Sequence, residues 1–492
     1  MRQNDSLAIK TIQGTFWTYA SAYLGKLLGF ITTTILAWLL TKEDFGVAGY
    51  AIVVITFLDV LNDLGVGMAL IYHREDPNRN YCSAAADTGF WLSLIGGVGL
   101  FALTWLGAPL VGAFFHDARA VPLTRVLALI FPLSGLYNVH GSLLQKELSF
   151  GKKFIPDTVQ SAAKGLISIV LALQGAGAWS LVWGQVGGTL VSVIVYLWVY
   201  PWRPTFRFAR RLAASLLSYG GGAILVNLLG IFILNVDYLF VGRYLGAVAL
   251  GVYTLAFRVP ELLIKQLCGM LGKVIFPVYA RMRDDAHSLN RAFLATMQYV
   301  TLITVPLGLG LALTAEPFVL TFFSAKWAEA IPVMRAIAIY SLVLSLTFNA
   351  GDIFKAQGKL KVLTNLSLMR IAILVPALWW AVTKTNSIIA VGWAQAGVAL
   401  IATCVNLLII ARMFHISWKE ILTAFQPAAL SGGLMSLAVW GTLILLADTS
   451  PVIQLMVEVF VGFIVYALSL WVWQRQLVSA TRLMLKTALA RR

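Results

Sequence analysis

Apolar runs long enough to cross the roughly 30 Å hydrocarbon core of a bilayer as helices recur along the chain, separated by short polar connections. They fall at residues 16–40, 46–68, 81–105, 121–141, 154–174, 179–200, 213–236, 247–272, 292–315, 331–350, 362–383, 386–411, 421–446 and 451–473. The pattern predicts an all-α polytopic membrane protein of about 14 transmembrane helices. One run departs from uniform hydrophobicity. Between Gly251 and Gly272, every third or fourth position gives Gly251, Thr254, Arg258, Glu261, Lys265, Cys268 and Gly272, while Val252, Leu255, Val259, Leu262, Leu263 and Ile264 fill the other faces. That is a polar stripe on a membrane helix. A charged side chain at membrane depth costs a few kcal/mol (about 2.5–3.5 on insertion scales), so this stripe must face protein or water. Two readings follow: the helix borders a cavity, or Glu261, correctly placed ahead of Lys265, glues helices together.

Composition narrows the class. Of 492 residues, 59% are hydrophobic and 12% charged, leaving no space for a soluble domain between the spans. Cys82, Cys268 and Cys404 sit in or beside separate apolar runs and match neither a metal spacing nor a disulfide framework. The residues before Gly14 are polar and lack a cleavable signal, so the first span is expected to be retained.

The net charge of +16 carries an orientation. With the N-terminus inside, 25 Lys and Arg fall in connections on one face and only Lys42, Arg119, Arg243, Lys326 and Lys384 on the other. The positive-inside rule then predicts an inner-membrane protein with both termini in the cytoplasm, and the charge needs no nucleic-acid partner. External connections are short, so a polymerase or glycosyltransferase site has little room to form. Trp38, Trp105, Trp179, Trp327, Trp379 and Trp380 lie at external ends, as an interfacial belt requires.

The chain also matches itself. A shift of 205 residues lays Leu40–Gly46 on Leu245–Gly251, and a shift of 210 lays Trp183–Gly187 on Trp393–Gly397. This predicts two six-helix lobes, 1–205 and 206–415, related by a pseudo-two-fold axis along the membrane normal, then two additional spans (416–475) and a basic tail (476–492).

Further charges lie mid-span. Lys26 shares a face with Ala22, Gly29 and Thr33; Lys164 follows Asp157 and Ser161; Arg370 occupies the corresponding depth of the other half beside Ser367. With Arg258 they outnumber the central carboxylates. The surplus asks for an anion, and a pyrophosphate suits Arg forks and Lys ammoniums. Lys26, Lys164, Arg258, Glu261, Lys265 and Arg370 are therefore the candidate substrate-binding residues. No phosphate-binding loop or cofactor motif occurs, which points to a secondary-type transporter rather than an enzyme or an ATPase. Asp59, Asp63, Asp87 and Glu458, with Glu261, are candidates for H⁺ or Na⁺ coupling.

Several segments carry a family likeness: Asp63-Leu-Gly-Val-Gly-Met-Ala-Leu-Ile-Tyr-His-Arg-Glu75, Gln145–Phe150, Trp202-Arg-Pro204, Asp237–Gly246 with Gly251–Phe257, Val274–Pro277 and Phe322–Trp327. In order and spacing they resemble the polysaccharide-transport branch of the multidrug/oligosaccharidyl-lipid/polysaccharide superfamily, the Wzx-type flippases of the colanic acid exporter kind. The resemblance covers residues 10–475. It implies two lobes around a cationic cavity that opens alternately to either side, and transfer of an undecaprenyl-pyrophosphate-linked oligosaccharide to the periplasmic leaflet. It also implies a lipid-linked oligosaccharide as partner, with a polysaccharide polymerase and chain-length machinery downstream, and a monomeric transporter. Basic residues on the first and eighth helices line the cavity in related flippases, and Lys26 and Arg258 stand there. Where some relatives carry an arginine in the second helix, this chain has Asp59 and Asp63.

Three alternatives remain at this level: a multidrug cation antiporter, which needs acidic cavity residues; a lipid-active enzyme; and a peptidoglycan-precursor flippase.

Overall fold

The computed structural model describes residues 2–62, 65–72 and 79–473. Asp63, Leu64 and residues 73–75 of the Asp63–Glu75 run and the tail 476–492 lie outside the described residues, as do the side chains of 2–13, 15–16, 72–83, 211, 215–227 and 273. The described chain is all-helical and strand-free. Its first part comprises α1 (Arg2–Leu39), α2 (Lys42–Asn62), α3 (Val66–Tyr72), α4 (Arg79–Phe115), α5 (Ala120–Leu127), α6 (Ile130–Lys146), α7 (Phe150–Leu173) and α8 (Ala178–Val199). There follow α9 (Arg210–Pro260), a π-helical turn (Glu261–Lys265) and α10 (Gln266–Arg281). The second part holds α11 (Ala286–Leu313), α12 (Ala315–Phe322), α13 (Ala330–Ser345), α14 (Ala350–Ala356), α15 (Leu360–Lys384), α16 (Ile388–Phe414), α17 (Trp418–Leu445) and α18 (Pro451–Trp473).

Twelve stretches are long and apolar enough to span a membrane, which makes the chain a multi-pass membrane protein. Two features lie beyond that count. Helix α7 is 24 residues long but carries Lys152, Lys153, Asp157 and Lys164. The apolar run Leu228–Arg281 is broken at Gly246, whose φ of 83° and ψ of −176° leave the helical region. Only glycine enters that backbone region without strain.

Local chemistry sets the helix ends. Ser417 accepts from the Glu420 amide at 3.2 Å while the Glu420 carboxylate takes the Ser417 amide at 2.8 Å, a reciprocal cap that starts α17. Asp285 and Ser387 cap α11 and α16 in the same sense.

The turn that ends α6 reappears at the end of α14. Leu148 and Gly358 both take positive φ, at 57° and 68°. The amides of Ser149 and Lys359 then reach back to the carbonyls of Leu144 and Phe354, at 2.9 and 2.8 Å. The two turns are 210 residues apart, the shift read from the Trp183 and Trp393 segments, and those two tryptophans are both exposed.

Packing divides the chain into two compact units, Met1–Thr254 and Leu255–Arg492. The sequence repeat begins near residue 206, so repeat and packing divide the chain at different places. The reason is local: the outer part of α9 lies on α2 and on the end of α4. A Cβ on Gly242 would meet the Phe115 ring at 2.7 Å, and Phe115 stacks on Tyr50 with centroids 4.4 Å apart.

In the first unit, Val47, Ala51, Ile55, Leu123, Leu127, Phe131, Val182 and Val186 form one buried core. In the second, Tyr279, Phe293, Phe354, Leu366, Leu407 and Ile421 form another. The broad exposed apolar faces, such as Met456, Val459, Phe460 and Phe463 on α18, are what a lipid-facing helix presents.

Candidate functional site

In the first unit the predicted cations sit on the contact between α1 and α7. The helices touch through small residues: a Cβ on Gly25 would lie 3.1 Å from Ser161 Oγ, and one on Gly165 would overlap the Thr32 hydroxyl. Lys26 follows the first of those contacts and Lys164 precedes the second. Lys26 is exposed, yet at about 100° per residue it shares a face with Thr33 and Ala37, which are 8% and 0% exposed. The lipid-type face of α1, with Tyr23, Leu27, Ile31, Ile35 and Trp38, points elsewhere. Ala22 and Gly29 on the same face are half-buried.

Lys164 is half-buried and its backbone is seated on two glycines of α8. A Cβ on Gly188 would stand 2.8 Å from Lys164 Cβ, and one on Gly184 2.9 Å from its carbonyl oxygen. Two turns earlier in the chain, Asp157 is occupied by neighbours. Lys153 Nζ approaches it at 3.3 Å and the Tyr196 hydroxyl donates to Oδ1 at 2.7 Å, with Tyr196 stacked on Tyr137.

In the second unit, the polar stripe is more open than several apolar residues beside it. Leu255, Ala256, Val259, Ile264 and Cys268 are at most 3% exposed, whereas Arg258 and Glu261 are half-buried and Lys265 is exposed. A lipid-facing helix would show the opposite pattern. Glu261 and Lys265 pair at 3.6 Å, and the stretch between them is the π turn, whose extra residue per turn follows Pro260. Arg258 has no hydrogen bond or ion pair to any of the described residues.

Arg370 meets a hydroxyl in place of a carboxylate: its Nη2 donates to Tyr340 Oη at 3.2 Å, and its buried Nε has no acceptor. Tyr340 is 4% exposed and packs edge-on against Phe257, the neighbour of Arg258. Sequence reasoning missed Tyr340, which lies 30 residues from Arg370 on another helix. No periodicity links the two.

The coupling candidates are scattered. Asp59 is exposed and accepts from Asn62 Nδ2 at 3.2 Å. Asp87 is 1% exposed, and both its oxygens are taken by Thr205, the amide at 3.0 Å and the hydroxyl. Glu458 is fully buried in α18, with both oxygens lacking a hydrogen-bond partner among the described residues. No group of three or more metal-ligating side chains occurs among the described residues.

Comparison with known proteins decides the family. Residues 35–332, more than half of the chain, match the family model described as polysaccharide biosynthesis protein. The chain belongs to that family. Its match covers Lys164, Arg258, Glu261 and Lys265, while Lys26, Arg370 and Glu458 lie outside it.

Curated relatives agree. The chain is 24% identical over 444 residues to the teichuronic acid biosynthesis protein TuaB of Bacillus subtilis, covering 89% of each chain. It is 25% identical over 375 residues to the lipopolysaccharide biosynthesis protein WzxC of Escherichia coli, 76% of this chain and 75% of that one. It is 26% identical over 347 residues to the succinoglycan biosynthesis transport protein ExoT of Rhizobium meliloti, 70% of this chain and 68% of that one.

Among solved structures, the lipid II flippase MurJ in an inward closed conformation superposes with a TM-score of 0.74 at 14% identity, over 95% of this chain and all of that one. An inward-facing multidrug resistance MATE family transporter of the MOP superfamily gives 0.66 at 16%, over 80% of this chain and 94% of that one. At these identities the likeness is one of fold.

Proposed function

We propose that the protein translocates an undecaprenyl-pyrophosphate-linked oligosaccharide from the cytoplasmic to the periplasmic leaflet of a bacterial inner membrane. The oligosaccharide would be the repeat unit of an exopolysaccharide, capsule or O-antigen. Family membership and relatives named for lipopolysaccharide and succinoglycan production support this reading.

The observation that carries it is Arg258. A half-buried guanidinium, beside the buried Leu255, Ala256, Val259 and Ile264, has no counter-charge among the described residues and suits a phosphate passenger. Lys26, Lys164 and Arg370 supply further positive charge, with Glu261 holding Lys265 in place. The reading takes both termini as cytoplasmic and the chain as a monomer that hands its product to a polymerase and chain-length machinery. Transport proceeds by alternating access of the secondary type, coupled to H⁺ or Na⁺. Asp59 is the better-placed coupling carboxylate, since Asp87 is fully engaged by Thr205.

The test is complementation. In a strain lacking its polymer flippase, the wild-type chain is expected to restore polymer export, and Arg258→Ala or Lys26→Ala to abolish it at matched membrane levels. Normal export by both variants would remove the site assignment. Rescue of a strain lacking its lipid II flippase, without rescue of polymer export, would reassign the passenger to the peptidoglycan precursor.

A further inference from the structure

The segment between α8 and α9, residues 200–209, is irregular but tied down at Tyr200, Trp202, Thr205 and Ala209. Tyr200 donates its hydroxyl to Glu147 at 2.6 Å, and His140 Nε2 lies 3.1 Å from the Trp202 carbonyl oxygen. Thr205 is held on three sides: its amide and hydroxyl go to the buried Asp87, and its carbonyl accepts from Trp91 Nε1 at 2.9 Å. The Ala209 amide donates to Thr88 Oγ1 at 3.2 Å, where α9 begins. A buried carboxylate spent on a connecting segment is an unusual investment, because its desolvation is offset only by these hydrogen bonds.

The anchored segment presents a specific outer surface. Arg203, Phe206, Arg207, Phe208 and Arg210 are exposed, Phe206 by 93%, with its ring stacked on Trp91 at 5.0 Å. None of the three guanidiniums has an ion-pair partner among the described residues, and residues 200–210 contain no acid. Of the carboxylates packed beside the segment, Asp87 faces inward and is engaged, and Glu147 is taken by Tyr200. Exposed rings alternating with unpaired arginines at the end of a membrane helix match the acyl–head-group boundary, where rings enter the lipid and guanidiniums fork onto phosphates. Asp87 and Thr205 fix the spacing between those groups.

We propose that residues 200–210 form a binding site for an anionic phospholipid of the cytoplasmic leaflet, separate from the passenger's stripes. The leaflet rests on the orientation taken under the proposed function; the lipid chemistry does not.

The experiment uses the full-length protein in nanodiscs of phosphatidylcholine with or without phosphatidylglycerol, which place the lipid in both leaflets. Its readout is the phosphatidylglycerol that remains bound after extraction, measured by native mass spectrometry. The wild type is expected to retain it, with about fivefold weaker retention for each of Arg203→Gln, Arg207→Gln and Arg210→Gln. Thr205→Val, which leaves every charge in place, is expected to weaken retention several-fold. A control that removes the same charge elsewhere, Arg281→Gln with Arg291→Gln and Lys419→Gln, should retain lipid as the wild type does. Equal loss in that control, or no loss in the strap variants, would overturn the site. So would a wild-type chain that retains a lipid-linked pyrophosphate but no phosphatidylglycerol. Labelling of Phe206→Cys in intact spheroplasts, in a background whose native cysteines are replaced, tests the leaflet separately: protection is expected, and reaction from outside would overturn the cytoplasmic placement alone.

Discussion

Gly46 and Gly251 are 205 residues apart, and each leaves bare the backbone that the other's helix needs. A Cβ on Gly46 would fall onto the carbonyl of Ala247, and a Cβ on Gly251 onto the carbonyl of Lys42. Lys42 and Ala247 are themselves separated by 205. The contact is thus reciprocal in the manner of a two-fold interface, made within one chain by positions that a shift of 205 residues lays on each other.

Backbone cannot step aside as a side chain can, so alanine at either glycine is expected to be costly. Gly46→Ala and Gly251→Ala should each destabilise by about 1–3 kcal/mol or more. Gly49→Ala, whose Cβ would meet only the Leu250 side chain at 3.1 Å, should cost less. Thermal midpoints of the purified variants in detergent decide the point, and equal values for Gly46→Ala and Gly49→Ala would contradict it.

Tyr340 is expected to be coupled to Arg370. Tyr340→Phe leaves two guanidinium nitrogens without acceptors, a loss of about 1–3 kcal/mol. Adding Arg370→Met should recover part of that loss, because the orphaned charge is then gone. A double-mutant cycle on thermal stability measures the coupling, and strict additivity would show that the hydrogen bond contributes nothing.

Acid should weaken the turn between α4 and α5. The Arg119 guanidinium bonds both oxygens of Asp117, at 3.0 and 2.9 Å, and with the Arg119 amide holds that carboxyl below its usual range. A depressed folded-state value means the stabilisation is complete above the ordinary carboxylate value of about 3.9 and is lost as pH falls through the lower, folded value. Wild type is therefore expected to exceed Asp117→Asn in thermal midpoint at neutral pH, and the two curves to converge in strong acid. Parallel curves down to the lowest accessible pH would exclude the assignment.

At the start of α17, Ser417→Ala should cost about 1 kcal/mol by removing the hydroxyl that the Glu420 amide needs. Hydrogen exchange in the first turn of α17 is expected to rise while α16 and α18 keep their protection. Unchanged exchange at Glu420 would rule the cap out as a stabiliser.

The membrane spans were legible along the chain because the property that inserts a helix, some 20 consecutive apolar residues, is local. Even α7, too charged to stand out by hydropathy, was placed at 154–174 against the observed Phe150–Leu173. The Glu261–Lys265 pair was legible for the same reason, since i,i+4 neighbours on a helix meet whatever the rest of the chain does. The turns at Leu148 and Gly358, 210 residues apart, share a positive φ although their local sequences differ.

What no window of residues contains is the identity of distant partners. Asp87 reads as a carboxylate free to couple an ion until the fold brings Thr205, 118 positions away, onto both its oxygens. Arg370 reads as a lone cation until Tyr340 is seen beside it. The polar stripe told that Arg258 must avoid lipid, but only the fold shows Leu255, Ala256, Val259 and Ile264 beside it buried to near-zero exposure while Arg258 is not. Hydrophobic length and helical period act between residues a turn apart, so they are written in order along the chain. Burial and hydrogen-bond satisfaction are properties of whichever groups the folded helices bring together, and they exist only in three dimensions.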